Sequence, residues 1–229
     1  MTVAFFDLDR TLLAVNSGTL WVRREVALGF LRKRDALRAA LWLARYQLGF
    51  ASAEKLVEDA VAQLAGSPAE PLRERTRRFF EAEVRPTYRP GGRQALEHHR
   101  QRGDRVVMLT SSTNYLAELV ADELGLDEIL CNTLEVGPDG RHTGRVVGRV
   151  CFGAGKLPYA QDAAQKHGVA LEACTFYTDS FSDLPVLERV GRPVAVNPDP
   201  RLRRQAGRRG WTVTDWGEPQ ADGARGEVA

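Results

Sequence analysis

Apolar positions along this chain fall into short runs separated by longer stretches of helical periodicity. Thr2–Phe6 is a run of β-formers that stops at Asp7, the pattern of a parallel strand buried on both faces. From about Ser17 to Glu83 the chain is rich in Ala, Leu and Arg, with proline only at Pro68 and Pro71, and reads as several amphipathic helices. Arg85-Pro86 and Arg89-Pro90-Gly91-Gly92 are breakers that mark the return from this block. A helix is predicted at Arg93–Gln101 with its stop at Gly103, then a strand at Arg105–Thr110 and a helix at Asn114–Leu124 closed by Gly125. Glu128–Val136 and Arg141–Val150 flank Gly137-Pro138-Asp139-Gly140 and read as a β-hairpin. Helices at Lys156–His167, Leu184–Val190 and Asp199–Arg208 alternate with strands at Cys174–Thr178, Pro193–Val196 and Trp211–Thr214. Strands separated by helices of this length predict an α/β fold, a doubly wound parallel sheet with helices on both faces. The expected division is a core of residues 1–14 and 86–216, a helical cap at 15–85 and a disordered polar tail at 217–229.

Composition narrows the function. The chain has 229 residues, enough for one core and a modest inserted module. A formal net charge of +2, with Lys and Arg scattered rather than striped among stacking aromatics, argues against nucleic acid as a partner. Cys131, Cys151 and Cys174 lack metal-type spacing and read as reduced thiols of a cytoplasmic protein. Charge arrives in MTVAFFDLD before any apolar run long enough for export, and no apolar run is long enough to span a membrane.

In open parallel sheets ligands bind beyond the carboxyl ends of the strands, where Asp7, Thr110 and Asp179 fall. Asp7 and Asp9 leave the first strand on the same side, and two crowded carboxylates need either a cation or a retained proton. One ionised carboxylate can attack phosphorus while the other holds a proton for the leaving oxygen. Alone, the pair could equally be an acidic turn. Thr110 ends an apolar strand that leads to a helix start, so its hydroxyl and the following N–H groups can hold phosphate oxygens; the plain alternative is a helix cap. Lys156 opens a helix after Gly153-Ala154-Gly155, where its charge opposes the dipole and needs an anionic partner, unless it is merely solvated. Asp179 ends a buried strand and Asp183 follows one turn later, hard oxygen donors that suit Mg²⁺, although Asp183 could simply cap the next helix.

Together, Asp7-Leu8-Asp9-Arg10-Thr11, Thr110, Lys156 and Asp179-Ser180-Phe181-Ser182-Asp183 resemble the four ordered motifs of the haloacid dehalogenase (HAD) superfamily of phosphohydrolases. The insertion after the first motif, the hairpin and the Asp179-Ser180 pair resemble the phosphoserine phosphatase-like branch, subfamily IB, with a C1-type helical cap. The resemblance implies Asp7 as nucleophile and Asp9 as acid/base. It implies Arg10, Thr11, Thr110, Ser111 and Lys156 around the phosphoryl group, and Asp7, Asp9, Asp179 and Asp183 around Mg²⁺. Two departures stand out. Arg10 occupies a position that is often Gly in the superfamily. Asn16, followed by Ser17, stands where phosphoserine phosphatases have an amine-binding Glu, which makes this pair the expected specificity position.

The implied reaction is hydrolysis of a small phosphomonoester through an aspartyl-phosphate, with phosphoserine-like compounds, histidinol phosphate and similar metabolites as candidates. A phosphotransferase or phosphomutase, a lysophospholipid-type phosphatase at a membrane surface, and a non-enzymatic binding module on the same fold are the alternatives. Residues 21–50 carry Arg23, Arg24, Arg32, Lys33, Arg34, Arg38 and Arg45 among Trp21, Trp42, Tyr46 and Phe50. This is either a solvated arginine face or a surface for an anionic substrate or membrane. His98 and His99 are expected to be exposed on a polar helix.

Overall fold

A computed structural model of the chain describes residues 2–32 and 53–219. The part of the expected helical stretch at 33–52, with seven of the eleven basic and aromatic positions named at 21–50, and the tail at 220–229 lie outside the described residues. Six parallel strands form one sheet: β1 (Val3–Phe6), β2 (Arg105–Thr113), β3 (Glu128–Asn132), β6 (Thr175–Thr178), β7 (Arg192–Val196) and β8 (Thr212–Thr214), in the order β3-β2-β1-β6-β7-β8. A separate antiparallel pair joins β4 (Leu134–Val136) to β5 (His142–Val146).

Side chains alternate along each strand, so each central strand feeds two cores. Ala4, Phe6, Val106 and Met108 face one way, against Leu96 of α4 (Pro90–Gln101) and Leu116, Val120 and Leu124 of α5 (Asn114–Leu124). Val3, Phe5, Val107, Leu109 and Phe176 face the other. There they meet Ala160 and Ala163 of α6 (Lys156–Lys166), Leu187 of α7 (Leu184–Leu187) and Leu202 of α8 (Pro200–Arg209). Phe5 and Phe6 are both fully buried. Each adds about 2–3 kcal/mol of apolar burial on its own face, which is why this strand shows a continuous apolar run rather than alternation.

Three expected elements are corrected. Glu128–Asn132 is not the first arm of the hairpin but an edge strand of the main sheet, with Val107 opposite Glu128 and Leu109 opposite Leu130; the hairpin starts at Leu134. Gly91 and Gly92 do not break the chain. They lie in the first turn of α4, with Pro90 at a helix start where its missing N–H costs nothing. A Cβ on Gly91 would fall 2.6 Å from the Trp216 ring, so the glycine exists for close packing. Trp216 is buried, and Gly217 and Glu218 accept hydrogen bonds from Arg89. His99, finally, is buried rather than exposed. Its Nδ1 lies 2.9 Å from Asp104 Oδ2 and its Nε2 3.0 Å from the Tyr177 hydroxyl.

Between β1 and β2 lies the helical insertion: α1 (Ser17–Ala27), α2 (Ala53–Ala62) and α3 (Ala69–Phe79), the last continuing as a wider turn through Val84. The chain leaves and re-enters the sheet side by side, since the Ala14 N–H donates to Thr87 O at 2.8 Å and the Arg89 N–H to Leu12 O at 2.8 Å. Val61, Tyr115 and Leu134 form a small third core that seats α2 on the hairpin and on α5. The Gly66 N–H donates to His142 O and the Ala69 N–H to Gly140 O, fixing the α2–α3 turn to the same hairpin. No helix among the described residues is long and apolar enough to cross a membrane.

Candidate active site

Asp7 is the first residue beyond β1, and its N–H is tied to the Tyr177 carbonyl of β6 at 2.9 Å. The chain then turns sharply. Asp9 is extended at φ −66°, ψ 128°, and Arg10 is left-handed at φ 58°. That turn corrects the simple alternation expected for Asp7 and Asp9. Asp7 points inward to Lys156, whereas Asp9 points to the start of α1, where its Oδ1 accepts the Ser17 N–H at 2.8 Å and its Oδ2 lies 3.5 Å from Asn16 Nδ2.

Lys156 is 2% exposed, which removes the solvated alternative. Its Nζ donates to Asp7 Oδ1 and to Asp183 Oδ2, both at 2.8 Å. Gly155 before it allows the close approach, because a Cβ there would sit 2.3 Å from Val150 O. Asp183 also accepts from the Thr178 hydroxyl at 2.7 Å, so it serves the site rather than only opening a helix. The Thr11 hydroxyl, expected at the phosphoryl group, is engaged in the frame: it accepts the Asp179 N–H at 3.0 Å and faces Asp7 Oδ2 at 3.4 Å. Thr110 is buried in β2 and accepts the Ser112 N–H at 3.1 Å. Behind it the strand continues to Thr113, three residues beyond its expected end, and the helix starts at Asn114 as the sequence suggested.

Three carboxylates, Asp7, Asp179 and Asp183, are thus buried near one buried ammonium, which pairs with Asp7 and Asp183. Burial, relieved in part by Lys156 and reinforced by Asp183, pushes the Asp7 carboxyl up to about 7. Burial and then repulsion from Asp7 and Asp183 push Asp179 up to about 8. Burial also raises Asp9, against the Ser17 hydrogen bonds that lower it. For Lys156 burial works against the charge, but Asp183 and Asp7 outweigh it and the ammonium is held. Such a surplus of hard anionic oxygen fits a divalent cation. Asp183 Oδ1 is buried without a partner, which is a ready donor. Among the described residues no three acidic, His or Cys side chains are already gathered as a ligand set, because Lys156 lies between Asp7 and Asp183.

Sequence reasoning missed two positioning residues. Asn132, at the end of β3, donates to Ser111 O at 2.7 Å and accepts the Cys151 N–H at 2.8 Å, stitching the segment after Thr110 to the loop that delivers Lys156. Its signal was a polar residue at a strand end, as for Thr110. Thr178, one residue before Asp179, was overlooked as part of the strand. Asn16, read as a specificity residue, caps α1 by accepting the Thr19 N–H at 2.8 Å.

Residues 4–188 match the haloacid dehalogenase-like hydrolase family. The chain belongs to it. This HAD hydrolase is 30% identical over 218 residues to a histidinol-phosphatase of Neisseria meningitidis, covering 93% of this chain and 98% of that one. It is 33% identical over 217 residues to the phosphoserine phosphatase SerB1 of Mycobacterium tuberculosis, covering 93% and 70%. A solved structure described as a phospho-aspartyl intermediate analogue of phosphoserine phosphatase shares its fold, with a TM-score of 0.69 at 20% identity over 95% of this chain and 94% of that one. This HAD hydrolase therefore lies in the phosphoserine phosphatase-like branch and is an enzyme of the phosphatase kind.

Proposed function

We propose that this protein is a Mg²⁺-dependent phosphomonoesterase that works through phosphorylation of Asp7. The observation that carries the reading is the Lys156 ammonium held at 2.8 Å from both Asp7 and Asp183, with Asp179 beside them and all four groups buried. Lys156 favours the ionised Asp7 against burial and aligns it as the nucleophile. An Asp7 oxygen attacks phosphorus, the ester P–O bond breaks, and Asp9 gives its proton to the departing alkoxide. A water then loses a proton to Asp9 and attacks phosphorus, releasing phosphate and restoring Asp7. Thr110, Ser111, Lys156 and the Arg10–Thr11 backbone receive the phosphoryl oxygens. Asp7, Asp179, Asp183 and the Asp9 carbonyl would hold Mg²⁺, which offsets the charge of a dianion approaching a carboxylate.

Asp9 is gripped by the first residues of α1, so the insertion sets the orientation of the acid/base. The substrate is a small soluble phosphomonoester, and the candidates include the two named for the relatives, phosphoserine and histidinol phosphate. Phosphate release from a panel of such esters should require added Mg²⁺, cease with excess chelator and return when the metal is restored. Ca²⁺ should restore it poorly, because its larger and looser oxygen shell spoils in-line geometry. Turnover that survives exhaustive chelation would exclude the metal assignment.

A further inference from the structure

We propose that the Arg10 side chain reads a carboxylate on the leaving group, so that the enzyme prefers phosphomonoesters whose alcohol carries one. This rests on the phosphatase reading above and names a substrate class for the same site.

Burial across the turn separates two tasks. Asp7, Thr11, Thr110 and Lys156 are all at most 6% exposed and enclose the place of the phosphoryl group. Asp9 is half-buried, and Arg10 is exposed, at the rim from which the leaving group must extend. The Arg10 backbone is fixed on both sides: its N–H donates to Val15 O at 2.9 Å and its carbonyl accepts from Arg89 Nε at 3.4 Å. A left-handed φ of 58° is costly for a residue with a Cβ, yet an arginine is held there. The conformation aims a long cation outward from a turn whose other members face inward.

That guanidinium has no ion-pair partner among the described residues. The described arginines on the neighbouring insertion are mostly neutralised: Arg24 pairs with Glu83, Arg75 with Glu25, Arg73 with Glu118, and Arg77 and Arg78 with Glu74. Arg10 is also close enough to Asp9 and Asp179 for its charge to offset a small part of the upward push of burial on both carboxyls. An unpaired guanidinium carried on a fixed backbone one residue from the acid/base offers bidentate recognition of a planar carboxylate, which Lys would match poorly. A grip on the transferring phosphoryl group itself would instead call for the buried placement that Lys156 has.

The test uses two ester pairs that differ only by a carboxylate: phosphoserine against phosphoethanolamine, and 3-phosphoglycerate against 2-hydroxyethyl phosphate. In the wild-type protein with Mg²⁺, kcat/KM should favour the carboxylated member of at least one pair by about tenfold or more. Arg10→Gly removes the side chain while relieving the left-handed φ, so folding is protected. It should abolish the preference mainly through KM, and Arg10→Lys should restore only part of it. A wild type with no such preference in either pair overturns the proposal. So does an Arg10→Gly variant that slows both members equally, the signature of phosphoryl binding. Loss of all turnover, with p-nitrophenyl phosphate also inert in the wild type, would instead sink the phosphatase reading.

Discussion

A buried lysine between two aspartates is stable only as a set, because each charge is uncompensated without the others. Asp7, Asp179 and Asp183 outnumber Lys156, so removing one negative charge relieves the site while removing the positive one strands it. Asp7→Asn should therefore bring turnover to background while the thermal midpoint stays within about 3 °C of wild type. Lys156→Met should also be inactive but lose about 3 kcal/mol of stability in chemical denaturation. An Asp7→Asn protein that retained measurable phosphate release would remove Asp7 as nucleophile; equal stability losses in the two variants would contradict the charge argument. At this scale the gathering of charges was legible. Asp7, Asp9, Lys156, Asp179 and Asp183 stand at strand ends and helix starts, and Lys156 meets Asp7 and Asp183 there. What could not be read was direction. Nothing in Asp9-Arg10-Thr11 reveals that Arg10 turns left-handed, that Asp9 consequently reaches α1, or that the Thr11 hydroxyl becomes a strut.

Elements were legible where local chemistry marks them and opaque where a distant partner decides. Gly125 caps α5 in the left-handed conformation, as read from the sequence, and Gly210 does the same for α8. The join between β3 and β4 carries no such mark. Only Thr133 separates them, and the Gly137–Gly140 turn advertises the hairpin so strongly that the parallel partner of Glu128–Asn132, which lies in β2, is hidden. Gly91 misled for a related reason: its cause, Trp216, lies far along the chain. The two kinds of glycine predict opposite responses. Gly91→Ala places a Cβ 2.6 Å from the Trp216 ring and 2.7 Å from its Cα, a clash that should cost about 1–3 kcal/mol. Gly207, inside α8, has no atom within 4 Å of the place a methyl group would take, so Gly207→Ala should stabilise by up to about 1 kcal/mol. Urea midpoints of both variants check this, and a destabilised Gly207→Ala or a neutral Gly91→Ala would refute the packing account.

At the scale of the whole molecule, two clusters of titratable groups occupy different parts of the sheet and pull stability in opposite directions with pH. At the carboxyl edge, Asp7 and Asp179 have folded values above their ordinary range, so their contribution is greatest in acid and is lost as pH rises through about 7 and 8. The other cluster, His99 with Asp104 and Tyr177, joins α4 to the start of β2 and to β6. Burial lowers His99 below its ordinary 6.5 despite the nearby Asp104 carboxylate. For Asp104, burial opposes ionisation, but hydrogen bonds from His99 and the Thr2 N–H prevail and hold it at about 2. Both values are depressed on folding. Stability from His99 is therefore complete above pH 6.5 and is lost as pH falls from there through its folded value; that from Asp104 is complete above about pH 4 and lost towards pH 2. The sequence concealed this second cluster, since a histidine in the run Glu97-His98-His99-Arg100 looks like surface. The measurement is a difference, so that the carboxylates at the other edge cancel. Between pH 7.5 and 5, wild type should lose stability relative to His99→Gln, which keeps hydrogen-bonding groups near Asp104 and Tyr177 but has no proton to gain. The variant should be less stable at pH 7.5, with the gap narrowing by roughly 1 kcal/mol for each unit by which the folded His99 lies below its ordinary value. A gap that stays constant over this range, or widens towards acid, would mean that His99 is not held neutral by burial, and the acid sensitivity of the fold would have to be sought elsewhere.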